Sequence, residues 1–408
     1  MKPGTFQTLI QTAGRPKELS QSDRDCQSLP ADSGQGQQRP KADLLHAVVH
    51  RSILALLLSY SIALAQENAD STTKSPSQIE ILPVLSYDTD VGFGYGAKGF
   101  FLNQFGWGES VDVLLFNTTK GERWYRIVFS YPDFELRQGT QYPFALDVVF
   151  DYDKWIKNSF FGIGNTSLFQ DREQYTREPF EASITISRGF SRLMVGQAGF
   201  RFKGINNLHF SDSSRLRLLP PSQNSFRAEY YSVFLAYRYD SRESFINPSQ
   251  GVVLQGELEY ALRSAWTNVE LGRISGTFQQ YSPLPLPGTI MAFRFQGQAL
   301  AGPNLPAQML LSLGGNQSLR GSPQDRFLDR IMALLNAEAR FPLIWRLGGV
   351  VGFDAGNVWH SVKEIGLDNW QSNPVAGLRL QMDTFIVRLD IGFGRDVTGF
   401  FMNFGHLF

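Results

Sequence analysis

The chain has 408 residues with 38 basic and 38 acidic side chains, so no net charge or basic patch points to a nucleic-acid partner. A single cysteine, Cys26, excludes an internal disulfide framework and any CxxC metal site. A mean hydropathy of −0.19 excludes a helical membrane protein, and 13% aromatics with 38 Gly and 20 Pro suit many short strands and turns.

In chain order, residues 1–45 are polar and are expected to be disordered, or not translated at all if synthesis starts near Leu44 or Val48. Residues 46–65 read as a secretory signal. "HRSILALLLSYSIALAQ" (50–66) has a basic start, an apolar run from Ile53 to Ala65, and the small residues Ala63 and Ala65 placed for cleavage before Gln66. The run is too short to span a bilayer as a helix. A buried core helix is the alternative, but nothing amphipathic follows. Cys26 precedes the run, which argues against a lipid anchor. Residues 66–78 are a short linker.

From Ile79 to Phe408 the dominant period is two. In "FIVRLDIGF" (385–393), Phe385, Val387, Leu389, Ile391 and Phe393 share one face, and Arg388 and Asp390 the other. "MAFRFQGQA" (291–299) and "VVLQGELEY" (252–260) alternate in the same way. Strands are expected near 79–87, 92–102, 110–118, 122–131, 144–152, 180–188, 193–203, 228–239, 251–261, 271–281, 289–300, 332–341, 347–358, 374–382, 385–393 and 399–408. A soluble sandwich would alternate too. Three features favour a transmembrane β-barrel instead: strands long enough to cross hydrocarbon when tilted, apolar faces tipped with aromatics, and an export signal. Sixteen is an even count, as a bacterial single-chain barrel requires. If the first strand runs outward, the longest gaps (153–179, 204–227 and 301–331) all become external loops.

Enzyme signatures are nearly absent. The five histidines show no HExxH spacing and no GxSxG elbow occurs, so no catalytic residue, metal or cofactor is assigned. "GYGAKG" (94–99) matches GxGxxG formally but lies within an alternating strand, without the helix N-terminus that phosphate binding needs.

Several ordered motifs carry a resemblance. "GGNQSLRG" supplies Gly314, Gly315, Arg320 and Gly321 in the longest loop. "YDSRESFINPSQG" (239–251) supplies Asp240, Arg242, Pro248 and Gly251 in an inner, periplasmic turn. "FFGIGN" (160–165), "NAEARFPL" (336–343) and "VGFDAGNVW" (351–359) complete the set. Together they resemble the BamA/TamA-type outer-membrane assembly superfamily, also called the bacterial surface antigen family, across residues 79–408. The resemblance implies a sixteen-stranded barrel whose sixth external loop folds back into the lumen with an Arg-Gly tip. Alternation places Asp354, Glu338 and Arg340 inside, so Arg320 is expected to latch the loop to Asp354 and Glu338, with Gly321 supplying the turn. The alternative is a solvated loop charge.

Two departures from the family stand out: Ser322 replaces the aromatic that usually follows Arg-Gly, and no periplasmic domain fits between Gln66 and Ile79. Client recruitment would then be absent, simplified or supplied by a separate periplasmic partner. The implied activity is membrane-protein insertion or polypeptide translocation without covalent chemistry, in the outer membrane of a Gram-negative-type bacterium, through a seam between the first and last strands. Pro83, which lacks a ladder donor, suits such an edge; a simple end-strand irregularity is the alternative. The last strand is expected to turn Phe400, Met402, Phe404, His406 and Phe408 to outer-membrane lipid, with Phe400, Phe404 and Phe408 resembling a barrel-assembly signal. Competing readings are a passive pore or structural barrel and a lipid-modifying enzyme.

Overall fold

The computed structural model describes residues 76–408 except 212, 220–225, 262–263, 265–266 and 384. The segment expected to be a signal peptide, with Ala63 and Ala65, and the expected N-terminal extension and most of the expected linker lie outside the described residues. Sixteen antiparallel strands close into a barrel. They are β1 (Gln78–Asp88), β2 (Gly92–Leu102), β3 (Ser110–Thr118), β4 (Glu122–Tyr131), β5 (Tyr142–Phe160), β6 (Glu173–Gly189), β7 (Met194–Leu208) and β8 (Arg227–Asp240). The second half comprises β9 (Gly251–Ala261), β10 (Leu271–Pro283), β11 (Ile290–Ala301), β14 (Ile331–Ile344), β15 (Leu347–Trp359), β16 (Gln371–Gln381), β17 (Ile386–Phe393) and β18 (Thr398–Phe404). Between β11 and β14 the long loop carries its own two-stranded sheet, β12 (Leu311–Leu313) with β13 (Phe327–Asp329).

Alternation decides the two surfaces. Leu235, Leu258, Ile274 and Val351 are exposed on the outside, while Arg201, Glu259, Arg294, Glu338 and Asp354 are buried inside. The interior charges pair across strands: Arg201 with Glu257 (3.2 Å) and Glu259 (2.9 Å), and Arg273 with Glu257 (2.9 Å). Close strand approach explains "GYGAKG": a Cβ on Gly96 would sit 2.1 Å from the Leu115 carbonyl oxygen. The segment lies inside β2 and has no helix behind it.

Three sequence expectations are corrected. The gap 153–179 shrinks because β5 runs on to Phe160 and β6 begins at Glu173, with pairing that resumes past a register shift between Trp155 and Asn158. The gap 204–227 shrinks because β7 extends to Leu208. Most consequential, the last strand stops at Phe404. Gly405 takes a φ of +81° and donates its N–H to the Ile386 carbonyl oxygen at 2.6 Å. That left-handed turn breaks the alternation, and His406 and Phe408 enter the lumen beside Leu407 instead of facing lipid. There Leu407 and Phe408 are buried against Tyr281 and Ala292.

Candidate functional site

The long loop between β11 and β14 folds into the barrel, and Leu319 packs with Leu313 and Leu334 in the largest apolar cluster. This places the next residue, Arg320, at 0% exposure. Its Nε and Nη2 donate to Asp354 Oδ2 and Oδ1 at 2.9 and 2.8 Å, a bidentate fork, and its backbone N–H reaches Oδ2 at 3.0 Å. Nη1 donates to Glu338 Oε1 at 2.6 Å and to Asp390 Oδ2 at 2.8 Å. Burial opposes the charge, but Asp354, Glu338 and Asp390 outweigh it and hold the guanidinium well above its usual pKa.

Asp390 was not singled out from the sequence, although its inward position was legible in "FIVRLDIGF". Nothing local signals that β17 passes close enough to the loop to make it a third ligand. The closeness depends on glycine. Gly321 has a φ of +95°, and a Cβ there would lie 2.6 Å from the Gly394 backbone nitrogen. A Cβ on Gly392 would lie 2.3 Å from the Arg320 carbonyl carbon. Gly314 and Gly315 also have positive φ, and the Gly315 N–H donates to the Ser322 carbonyl at 2.8 Å, closing the loop on itself. Ser322, the departure from the family pattern, accepts a hydrogen bond from Asn373 Nδ2 at 3.0 Å, so a polar tie stands where an aromatic would pack.

A second tier surrounds Arg320. Asn336 Nδ2 donates to Asp354 Oδ1 (2.7 Å) and to the Ser318 carbonyl (2.8 Å). Arg294 Nε donates to Asn336 Oδ1 (2.9 Å) and its Nη2 to the Gln317 carbonyl (2.8 Å). Arg340 Nε donates to Glu338 Oε2 at 2.9 Å. The loop also reaches the first strand, where Asn316 Nδ2 donates to Asp88 Oδ2 at 2.7 Å.

The β8–β9 turn forms a separate cluster. Asp240 accepts from Arg242 Nη2 and Nε at 2.7 and 3.0 Å and from Arg238 Nη2 at 2.7 Å. Gly251 sits at a φ of +115° with no room for a side chain beside Arg242, and Pro248 lies buried in the same turn. Asn247 Oδ1 pairs with His406 Nε2 at 2.9 Å, tying this turn to the chain beyond β18.

Of the three aromatics singled out in the last strand, Phe400 is exposed on the outside and Phe404 packs edge-on against Phe385 at 5.6 Å. Phe408 is instead inside, with the guanidiniums of Arg294 and Arg340 each 5.2 Å from its ring centre and its carbonyl accepting from Arg340 Nη2 at 3.0 Å. Among the described residues, no cluster of His, Cys, Asp or Glu has the arrangement of a metal site.

The seam is thin. β1 pairs with β2 from Gln78↔Leu102 to Asp88↔Gly92, but with β18 only at Tyr87↔Met402 and Asp88↔Phe401. Thr89 adds a backbone bond to the Phe400 carbonyl at 3.2 Å.

The profile of the Omp85 superfamily domain matches residues 103–397. No curated protein matches the chain by sequence. Among solved structures, BamA from Haemophilus ducreyi lacking POTRA domains 1–3 is similar at 14% identity and a TM-score of 0.59, over 90% of this chain and 80% of that one. CdiB from Escherichia coli is similar at 13% identity and a TM-score of 0.54, over 81% of this chain and 67% of that one. These likenesses are of fold, and with the profile spanning most of the barrel the chain belongs to the Omp85 superfamily.

Proposed function

We propose that this chain is a bacterial outer-membrane protein that inserts membrane proteins or translocates polypeptides through the seam between β1 and β18, with the Arg320 loop as its lumen latch. The observation that carries this reading is the short ladder. Below Tyr87, the stretch Gln78–Ser86 of β1 has no partner on the β18 side among the described residues. An unpaired strand edge is a template for a further strand. Each ladder hydrogen bond contributes about 0.5–1.5 kcal/mol net, so opening this seam costs far less than opening any neighbouring pair of strands.

Pro83 fits the same edge. Thr89 donates toward β18, and backbone groups of alternate residues point to one side, so Tyr87, Leu85 and Pro83 also face the seam. Pro83 therefore withholds an N–H where a longer β18 would pair, which keeps the edge from zipping shut. Arg320, Gly321, Asp354 and Glu338 hold the loop that braces the lumen beside this seam. Clients would be outer-membrane or secreted polypeptides, delivered by a separate periplasmic partner, and outer-membrane lipid surrounds the exposed apolar face.

The test is a seam lock. Tyr87→Cys with Met402→Cys, oxidised, should block acceleration of a second barrel's folding into liposomes, and reductant should restore it. Equal rates for locked and reduced protein would count for a passive pore or structural barrel. A lipase activity lost on a single Ser or His change would point to a lipid-modifying enzyme.

A further inference from the structure

Beside the latch, the inner wall of β16–β18 holds more positive charge than its carboxylates offset. Two buried guanidiniums, Arg379 and Arg388, stand there with one buried carboxylate, Asp390, which also serves Arg320. Arg388 has the weakest partner. Its nearest carboxylate oxygen is Asp390 Oδ2 at 3.7 Å, an atom already taken by Arg320 at 2.8 Å, while Asp390 Oδ1 is held by Arg379 at 2.5 Å. Across the sheet Arg388 faces Arg379 on one side and Asn403 on the other. A like charge directly opposite adds repulsion.

Four donor atoms of this patch are buried without an acceptor among the described residues: Arg388 Nε and Nη1, Arg379 Nε, and Asn403 Nδ2. Arg379 and Arg388 are each only 1% exposed. Such groups are costly unless paired, and a guanidinium cannot escape by losing its proton. Water would satisfy hydrogen bonds but not the excess charge. Several N–H groups on two planar forks and an amide call for an anion with several oxygens.

We propose that Arg379, Arg388 and Asn403 hold an oxyanion of the phosphate class, admitted through the neighbouring seam. Asn403 lies on β18 just past the last residue that pairs with β1, so the patch borders the unpaired edge. The inference does not depend on polypeptide handling. Both a free phosphate and a lipid headgroup carry the required chemistry.

The test uses the whole protein in dodecyl maltoside and phosphate-free buffer. Inorganic phosphate should raise the heat-modifiability midpoint saturably beyond a chloride control of equal ionic strength, and Arg388→Gln should abolish the rise. Asn403→Asp supplies a carboxylate opposite Arg388, so it should melt at or above wild type without phosphate and no longer respond to it. Native mass spectrometry after incubation with phosphatidylglycerol, against a phosphate-free galactolipid, separates the sources. A phospholipid adduct retained by wild type and lost in Asn403→Asp assigns a headgroup, whereas a response to inorganic phosphate alone assigns a free anion. Wild type that responds to neither probe, variants that respond as wild type does, or an Asn403→Asp protein that melts lower would overturn the proposal.

Discussion

Replacing Arg320 with alanine removes four side-chain hydrogen bonds from a fully buried site, but the loss falls unevenly. The backbone bond to Asp354 survives only if the loop stays. Glu338 keeps Arg340 and Arg379 as partners, and Asp390 keeps Arg379. Among the described residues, Asp354 is left with the side-chain hydrogen bond of the neutral Asn336 amide, at 2.7 Å. Its buried carboxylate therefore carries most of the penalty, about 3–5 kcal/mol for breaking one partner out of a buried pair. The barrel has its strand ladders to hold it, so the cost should appear as release of the loop. On that scale the loop's open population rises by roughly a hundredfold or more. Limited proteolysis, in the regime where cleavage tracks the open population, should show faster cutting at 314–327 by that factor. Asp354→Ala should give a similar release. The double mutant should fall short of additivity by about 1–3 kcal/mol, since the second change removes a bond already lost. Arg320→Lys should recover only part, because an ammonium cannot reproduce the fork on Asp354 while also reaching Glu338 and Asp390. Additive effects, or an Arg320→Ala protein cut no faster than wild type, would refute the latch and leave an ordinary loop charge.

Two further outcomes follow from positions outside the latch. Phe408→Ala opens a hole between two guanidiniums and Tyr281, at about 3–5 kcal/mol for a buried Phe, and should lower the heat-modifiability midpoint more than Phe400→Ala, which only trims the lipid face. Equal midpoints would mean that Phe408 is not seated in the lumen. In the β8–β9 turn, burial alone would raise the Glu243 carboxyl, but the hydroxyl and N–H of Ser249 and the N–H of Gln250 outweigh it and hold it below its ordinary value of 4.5. A depressed carboxyl stabilises the turn fully above its unfolded pKa, and that contribution is lost as pH falls through the lowered value. Amide exchange at Ser249 and Gln250 should therefore lose protection on acidification in wild type and show no such pH dependence in Glu243→Gln.

Much of this protein is written in its alternation. A period of two sends every second side chain to the opposite face of a strand whatever its neighbours, so Glu338, Asp354, Arg388 and Asp390 could be placed inside the lumen from "NAEARFPL", "VGFDAGNVW" and "FIVRLDIGF" alone. Sixteen strands that must cross hydrocarbon then leave a closed barrel as the arrangement that pairs their backbone groups with one another. The Arg-Gly pair was legible through its resemblance to the family's loop, in which Gly321 supplies the turn. What alternation does not carry is distance across the lumen. The loop's landing beside Gly392, which makes Asp390 a third ligand of Arg320, depends on how two segments some seventy residues apart are brought together by the closed sheet. The two-pair seam depends on the register at closure, a property of the whole ring. The inward turn rests on one φ angle at Gly405, whose freedom is visible in the sequence but whose choice is not. That single dihedral moves His406 and Phe408 from lipid to lumen, because past a left-handed residue the pleat no longer dictates which way a side chain faces.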